Sequence, residues 1–200
     1  MKVLGLMASP RKNGNTNTLV DTFLEGASSA AEVKKYSLID LTINPCMGCA
    51  QNCAFQAGIA CKIHRDDMDE LLQEVLSSDI ILFASPLYCA TYTSLMTRFF
   101  ERALPLWHVE YITDPETEMQ TSVNRCPAKG KKAVIGMVQD SKNPASARIA
   151  FEAFEHNISN IYRMDLVEKI LVPDVRSPGD LKNKPDELDK ILTLGEGIVS

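Results

Sequence analysis

Short apolar runs alternate with amphipathic segments along the whole chain. The apolar runs contain few polar positions, which is typical of parallel strands that are covered on both faces. Between them, apolar residues recur every three or four positions, as at Leu19, Val20 and Phe23, and this spacing predicts helices. The predicted strands are 2–7, 33–41, 79–84, 133–138 and 166–172, and the predicted helices are 16–30, 68–76, 94–104, 145–162 and 187–198.

Five strands separated by helices predict an α/β fold with right-handed crossovers. We expect a flavodoxin-like three-layer sandwich, in which a five-stranded parallel sheet of order 2-1-3-4-5 carries helices on both faces. Residues 1–200 are expected to form one domain, with a cysteine loop at 45–62 and an irregular insertion at 105–131. A ligand in such a sheet binds where the strand order reverses, which here is beside the loops 9–18 and 85–94.

Composition excludes several classes of protein. The chain has 26 acidic and 21 basic residues and a formal charge of −5, so a nucleic-acid partner is not expected. No apolar run approaches the roughly 18 residues of a membrane span, and the segment MKVLGLM does not resemble a signal peptide. These features predict a cytoplasmic protein with no membrane partner, in which cysteines stay reduced.

The loop after the first predicted strand, SPRKNGNTN, has the composition of a phosphate-binding turn. It leads into a helix, whose first N–H groups and positive dipole end favour an anion. Neutral donors and one guanidinium add to these groups; they are Ser9, Asn15, Thr16, Asn17 and Arg11. An ordinary solvated turn that caps the helix is the alternative, because neither of the glycine-rich nucleotide-binding motifs is present.

Four cysteines lie within sixteen residues, at Cys46, Cys49, Cys53 and Cys61. Crowded thiols in a reducing compartment indicate metal binding or redox chemistry, and four soft ligands suit zinc or an iron–sulfur cluster. A disulfide and a metal-free loop also remain open. His64 follows closely, and we interpret it as a solvated loop residue.

The combination of these motifs resembles the NADPH-dependent FMN reductase superfamily. The motifs are SPRKNGNT at 9–16, SPLY at 85–88, RFFER at 98–102, and a four-cysteine loop running into Asp66-Asp67-Met68. Together they look most like the iron–sulfur flavoprotein branch. The resemblance implies non-covalent FMN, a [4Fe-4S] cluster on the four cysteines and NAD(P)H as co-substrate. It places Ser9, Arg11, Asn15, Thr16 and Asn17 around the phosphate, and Pro86, Leu87, Tyr88 and Cys89 along the isoalloxazine ring.

The function expected from this resemblance is electron transfer between NAD(P)H, or a reduced carrier, and a small-molecule or protein acceptor. No acid–base catalytic residue is expected, because the cofactor carries the chemistry. A metal-free FMN or quinone reductase, a non-enzymatic electron carrier and a metal-stapled flavin-binding module are the alternatives. We also expect a homodimer or homotetramer, because the long 105–131 segment contains aromatic residues such as Trp107 and Tyr111.

Overall fold

The computed structural model of the chain describes residues 1–49, 52–55 and 59–200. The strands are β1 (Lys2–Met7), β2 (Glu32–Ser37), β3 (Ile80–Pro86), β4 (Val109–Thr113), β5 (Gln120–Asn124), β6 (Lys132–Val138) and β7 (Asp165–Val172). The helices are α1 (Asn15–Ala27), α2 (Met68–Ser77), α3 (Ser94–Arg102), α4 (Arg148–Glu155) and α5 (Pro185–Ile198). None of these helices, nor any other in the described ranges, has the length and apolarity needed to cross a bilayer.

The main sheet has five parallel strands in the order β2-β1-β3-β6-β7. Counted without the separate β4–β5 pair, this is the 2-1-3-4-5 order predicted from the sequence. The predicted flavodoxin-like fold is therefore confirmed. The order reverses between β1 and β3, whose carboxyl ends point to the same edge of the sheet.

Two apolar layers hold the helices to the sheet. Leu4 and Leu6 of β1 pack toward α2, α3 and α4 on one face. Val3 and Met7 of the same strand pack toward α1 and α5 on the other face. This division follows from strand geometry, because successive side chains point to opposite faces of the sheet. A strand buried on both faces is apolar at nearly every position, which is the pattern that marks residues 2–7 in the sequence.

The structure differs from the sequence-based expectation in three elements. The 105–131 segment is not irregular, because β4 and β5 form an antiparallel hairpin within it. The predicted strand 33–41 ends at Ser37, and a 3₁₀ turn covers Leu38–Asp40. The predicted helix 145–162 is divided among a 3₁₀ turn, α4 and a π-helical segment, His156–Ile161.

Candidate functional site

The carboxyl ends of β1, β3 and β6 open into one cavity of about 470 Å³. It lies where the strand order reverses, the position at which open α/β sheets bind ligands. Eight of the predicted flavin-site residues line it, namely Ser9, Arg11, Asn15, Thr16, Pro86, Leu87, Tyr88 and Cys89. The wall is completed by six residues that are not among the predicted site residues, namely Gly14, Val138, Gln139, Asp140, Val175 and Arg176. We refer to this space as the flavin cavity, after the ligand that the sequence resemblance predicts for it.

The amino end of α1 forms one end of the flavin cavity. Gly14 is the residue that precedes the helix, and it has no side chain to cap the first N–H groups. The first turn contains no acidic residue that would compete with an anion. Ser9 Oγ accepts a hydrogen bond from the Arg11 N–H at 3.1 Å, which fixes the preceding loop. Free N–H groups and a positive dipole end therefore face the cavity, as phosphate binding requires.

Two arginines add positive charge to this end of the cavity. Arg11 comes from the loop after β1, and Arg176 from the segment after β7. Among the described residues neither guanidinium takes part in an ion pair, whereas neighbouring Lys12 is paired with Asp40. A planar guanidinium matches the oxygens of a phosphate, so both side chains are suited to a phosphorylated ligand.

Asn15 connects α1 to the segment that carries Arg176. Its Oδ1 accepts hydrogen bonds from the N–H groups of Gly179 and Leu181, both at 3.1 Å. Its Nδ2 donates to the Ser177 carbonyl at 2.9 Å. These bonds use the amide oxygen twice and one of the two amide N–H groups, so Asn15 positions the cavity wall and its second N–H can still donate to a ligand.

The predicted phosphate donor Asn17 is not brought to the flavin cavity. Its Nδ2 donates to Asp21 Oδ2 at 2.6 Å, and its Oδ1 accepts from Lys35 Nζ at 3.0 Å. Residues one turn apart on a helix share a face, and this face of α1 points away from the cavity. The side chain of Asn17 therefore belongs to a surface polar network.

A tight turn at Tyr88–Thr91 forms the opposite wall. Tyr88 and Thr91 exchange two backbone hydrogen bonds of 2.8 and 2.9 Å, and the residues between them have positive φ angles of +49° at Cys89 and +63° at Ala90. Turns of this type favour Asn-Gly, so Cys-Ala is held there under strain. Buried Thr93 fixes the turn, because its N–H donates to Ser85 Oγ and its Oγ1 donates to the Ala8 carbonyl.

Gln139 contributes a buried acceptor to the flavin cavity. Its side chain amide donates to the carbonyls of Ser141 and Asn143, both at 2.8 Å. Its Oε1 is shielded from solvent and has no partner within the described residues. An unpaired buried oxygen is unfavourable unless a ligand supplies a donor. Gln139 and Arg176 belong to no motif, and only their positions after β6 and β7 point to the site.

The four cysteines of the predicted loop line a second cavity, which we call the cysteine cavity. All four thiols are unpaired, so the structure contains no disulfide between them. Burial raises the pKa of the Cys53 thiol, and the neighbouring Cys49 and Cys46 raise it further. The thiols therefore converge on a single space. That space has a volume of about 30 Å³, little more than a water molecule needs, so a larger group requires the loop to open.

A buried ion pair holds together the two ends of the cysteine loop, at Asn44 and Asp66, which we call its neck. The guanidinium of Arg102 in α3 donates to both oxygens of Asp66, at 2.7 and 3.0 Å, and both side chains are 2% exposed. Arg102 also donates to the Asn44 carbonyl at 2.8 Å, and the Asn44 N–H donates to Asp66 at 2.9 Å. The two ends of the loop are thereby joined to each other and to α3.

The electrostatics of this neck follow from its hydrogen bonds. Burial alone would raise the pKa of Asp66, but the donors on Arg102 and Asn44 outweigh burial and hold that pKa well below its usual value. Burial alone would lower the pKa of Arg102, whereas Asp66 and the sulfur atoms of Cys61 and Cys46 raise it. The pair therefore stays ionised beside the cysteine cavity.

The donor set of the cysteine cavity suits an iron–sulfur cluster. Four soft thiol ligands on one loop are the usual ligands of such a cluster. No three histidine, cysteine, aspartate or glutamate side chains in the described part of the chain are arranged to hold a single metal ion. His64, interpreted from the sequence as a solvated loop residue, is instead half-buried and lines this cavity. That interpretation was wrong, because the loop folds back over α3.

The sheet order, with the amino terminus of α1 at its reversal point, defines a protein of the flavodoxin-like α/β class. A comparison with protein families matches residues 1–120 to the family described as NADPH-dependent FMN reductase. The chain belongs to this family of oxidoreductases.

The most similar characterised sequences include iron-sulfur flavoproteins. One from Archaeoglobus fulgidus is 40% identical over 109 residues, which are 54% of this chain and 48% of that protein. Another from Methanocaldococcus jannaschii is 37% identical over 107 residues, 53% of each chain. This chain thus aligns with about half the length of these relatives. They agree with the branch that the sequence motifs resemble.

The solved structures agree with the fold. A NAD(P)H:quinone oxidoreductase from Methanothermobacter marburgensis superposes with a TM-score of 0.70 at 14% identity, and covers 99% of this chain and 96% of its own. At this identity the similarity concerns the fold.

Proposed function

We propose that this protein is an FMN-dependent oxidoreductase that moves electrons between NAD(P)H, or a reduced carrier, and an acceptor. The observation that carries the proposal is the flavin cavity, in which an uncapped helix terminus, two arginines and the Tyr88–Thr91 turn meet at the switch point of the sheet. The family match and the FMN in its description support the same ligand.

Each wall of the flavin cavity has a separate task in this proposal. Arg11, Arg176 and the first N–H groups of α1 bind the phosphate. Pro86, Leu87, Tyr88 and Cys89 lie along the ring, and Gln139 Oε1 accepts from one of its polar groups. Bound FMN supplies the redox chemistry, since it accepts an electron pair from a nicotinamide and releases electrons singly. The protein binds and orients, so no acid–base residue is assigned.

We further propose that Cys46, Cys49, Cys53 and Cys61 hold a [4Fe-4S] cluster. Three observations support this: the thiols share one cavity, the loop is closed by the Arg102–Asp66 pair, and the relatives are iron-sulfur flavoproteins by name. A cluster would supply one-electron transfer to or from the flavin.

Anaerobic purification with added iron and sulfide, followed by visible spectroscopy, tests both cofactors. Flavin gives paired absorption bands, and a cluster adds a broad shoulder that bleaches with dithionite. Flavin bands without iron would favour the metal-free FMN or quinone reductase. Steady-state oxidation of NADPH and NADH then separates an enzyme from an electron carrier, because a carrier shows no turnover with either nicotinamide.

Changing Cys49 to serine should abolish the iron shoulder and transfer to one-electron acceptors, while FMN stays bound. The physical reason is that no residue lining the cysteine cavity also lines the flavin cavity. Iron content and FMN content are measured on the same preparation, with Cys126→Ser as the matched control outside the loop. Loss of FMN together with iron would show that the main role of the cysteine loop is to stabilise the fold.

We also propose a homodimer or homotetramer, assembled through the β4–β5 hairpin. Its Tyr111 ring stacks on Phe55 of the cysteine loop with centroids 5.8 Å apart. Tyr111, Ile112 and Met119 are nevertheless 60%, 42% and 65% exposed. Large exposed apolar side chains grouped on one element are typical of interfaces. Light scattering at micromolar concentration should give two or four times 22.1 kDa, and a monomer mass would contradict the proposal.

A further inference from the structure

The cysteine cavity contains a polar atom that the four thiols do not explain. The Nε2 atom of His64 is shielded from solvent and has no hydrogen-bond partner among the described residues. The histidine lines the same cavity as the cysteines. An unpaired buried ring nitrogen costs free energy, so its position calls for a partner inside the cavity.

The backbone places the His64 ring beside the proposed ligands. The His64 N–H lies 3.5 Å from Cys61 Sγ and donates to it. The next residue, Arg65, donates a side-chain hydrogen bond to the Cys61 carbonyl and so stabilises the same turn. The ring therefore belongs to a turn built around a cysteine, at the wall of the cavity that the four cysteines line.

The other polar groups around the cavity leave this role to His64. The guanidinium of Arg102 is occupied by Asp66 and by the Asn44 carbonyl. Lys62 and Glu101 also line the cavity, but both residues are exposed to solvent. Among the lining side chains in the described part of the chain, the His64 nitrogen is the buried one that lacks a partner.

We propose that His64 donates a hydrogen bond from Nε2 to a sulfur atom of the cluster, and so raises the reduction potential of that cluster. The inference rests on the proposed function, since it requires the cluster. A donor aimed at cluster sulfur stabilises the reduced, more negative form over the oxidised one. His64 therefore adjusts the electron affinity of the site without being a ligand.

The test compares His64→Phe and His64→Gln with the wild-type protein after anaerobic loading with iron and sulfide. The matched control is His156→Phe, which alters an exposed histidine outside both cavities. The readouts are iron per chain, FMN per chain and the cluster midpoint potential from a dye-mediated titration followed by EPR. None of them depends on enzymatic turnover.

In His64→Phe we expect unchanged iron and FMN, with the one-electron reduction equilibrium about tenfold less favourable. For a one-electron couple this is about 59 mV toward negative potential. Glutamine keeps an N–H donor, so His64→Gln should recover part of the shift, and His156→Phe should show none.

Three results would overturn the inference, and they can be told apart. A wild-type potential in His64→Phe removes the donor role and leaves the cluster in place. Loss of iron from both His64 variants, with FMN retained, would make the histidine a ligand. A wild-type protein that binds no iron would refute the proposed cluster itself, and this inference with it.

Discussion

Replacing Asp66 with asparagine should lower the free energy of unfolding by about 3–5 kcal/mol, the range measured when one partner of a buried ion pair is removed. The reason is that Arg102 would remain 2% exposed with its charge unpaired. The substitution also weakens the hydrogen bonds that Asp66 accepts from Asn44, and these bonds join the two ends of the cysteine loop. Denaturant unfolding of both proteins at pH 7 measures the difference.

The stabilisation that Asp66 contributes to the free energy of unfolding depends on pH in a defined direction. The pKa of Asp66 is lower in the folded protein than in the unfolded chain, where it is about 4. The stabilisation is therefore complete above pH 4 and is lost as the pH falls toward the folded-state value. Glu152→Gln is the matched control, because its ion pair with Arg148 is exposed and should contribute less than about 1 kcal/mol. Equal stability losses in the two variants would contradict the structural role of the neck.

Arg11→Ala and Arg176→Ala should each weaken FMN binding by about 1.5–3 kcal/mol, the range for a hydrogen bond to a charged group. This corresponds to an increase in Kd of roughly 10- to 150-fold. The two side chains reach the flavin cavity from opposite ends of the chain. If both bind the phosphate, the double variant should lose more than either single one, without full additivity.

Riboflavin provides the sharpest control for this prediction, because it has the ring but no phosphate. Its Kd should stay unchanged in both arginine variants, as measured by fluorescence titration. Arg148→Ala, in an exposed helix pair outside the cavity, should leave both ligands unaffected. An unchanged FMN affinity in Arg11→Ala would refute the phosphate role of the loop after β1. Equal losses for FMN and riboflavin would assign the arginines to the ring instead.

The parts of the molecule that the sequence predicts are those in which burial imposes a repeated pattern. β1 and β3 are buried on both faces, so apolar runs mark them, and the flavin cavity follows from where two such strands end. The β4–β5 hairpin could not be predicted from such a pattern, because its side chains are mostly exposed on both faces. Without a buried face the strands leave no alternation of apolar and polar residues.

The site residues that the sequence missed have no local signature. Arg176 follows a strand far along the chain, and only tertiary packing brings it to α1. Asn17 shows the reverse case, since its type and position suit a phosphate donor, yet helix geometry turns it toward Lys35. The burial of His64 depends on the path of the cysteine loop over α3, and the spacing of the cysteines in the sequence does not determine that path. Donor chemistry is readable from sequence, whereas the direction of a side chain is not.

The bonds made by Asn15 also impose an order of assembly. They join parts of the chain that are 162 to 166 residues apart, whereas every residue lining the cysteine cavity falls between Cys46 and Pro105. During synthesis the four cysteines of the cysteine cavity leave the ribosome first. The flavin cavity must wait until the segment around Arg176 has been made and has docked on α1. The wall of the flavin cavity is therefore completed only after all residues that line the cysteine cavity have been made, so the two cavities form in a fixed order.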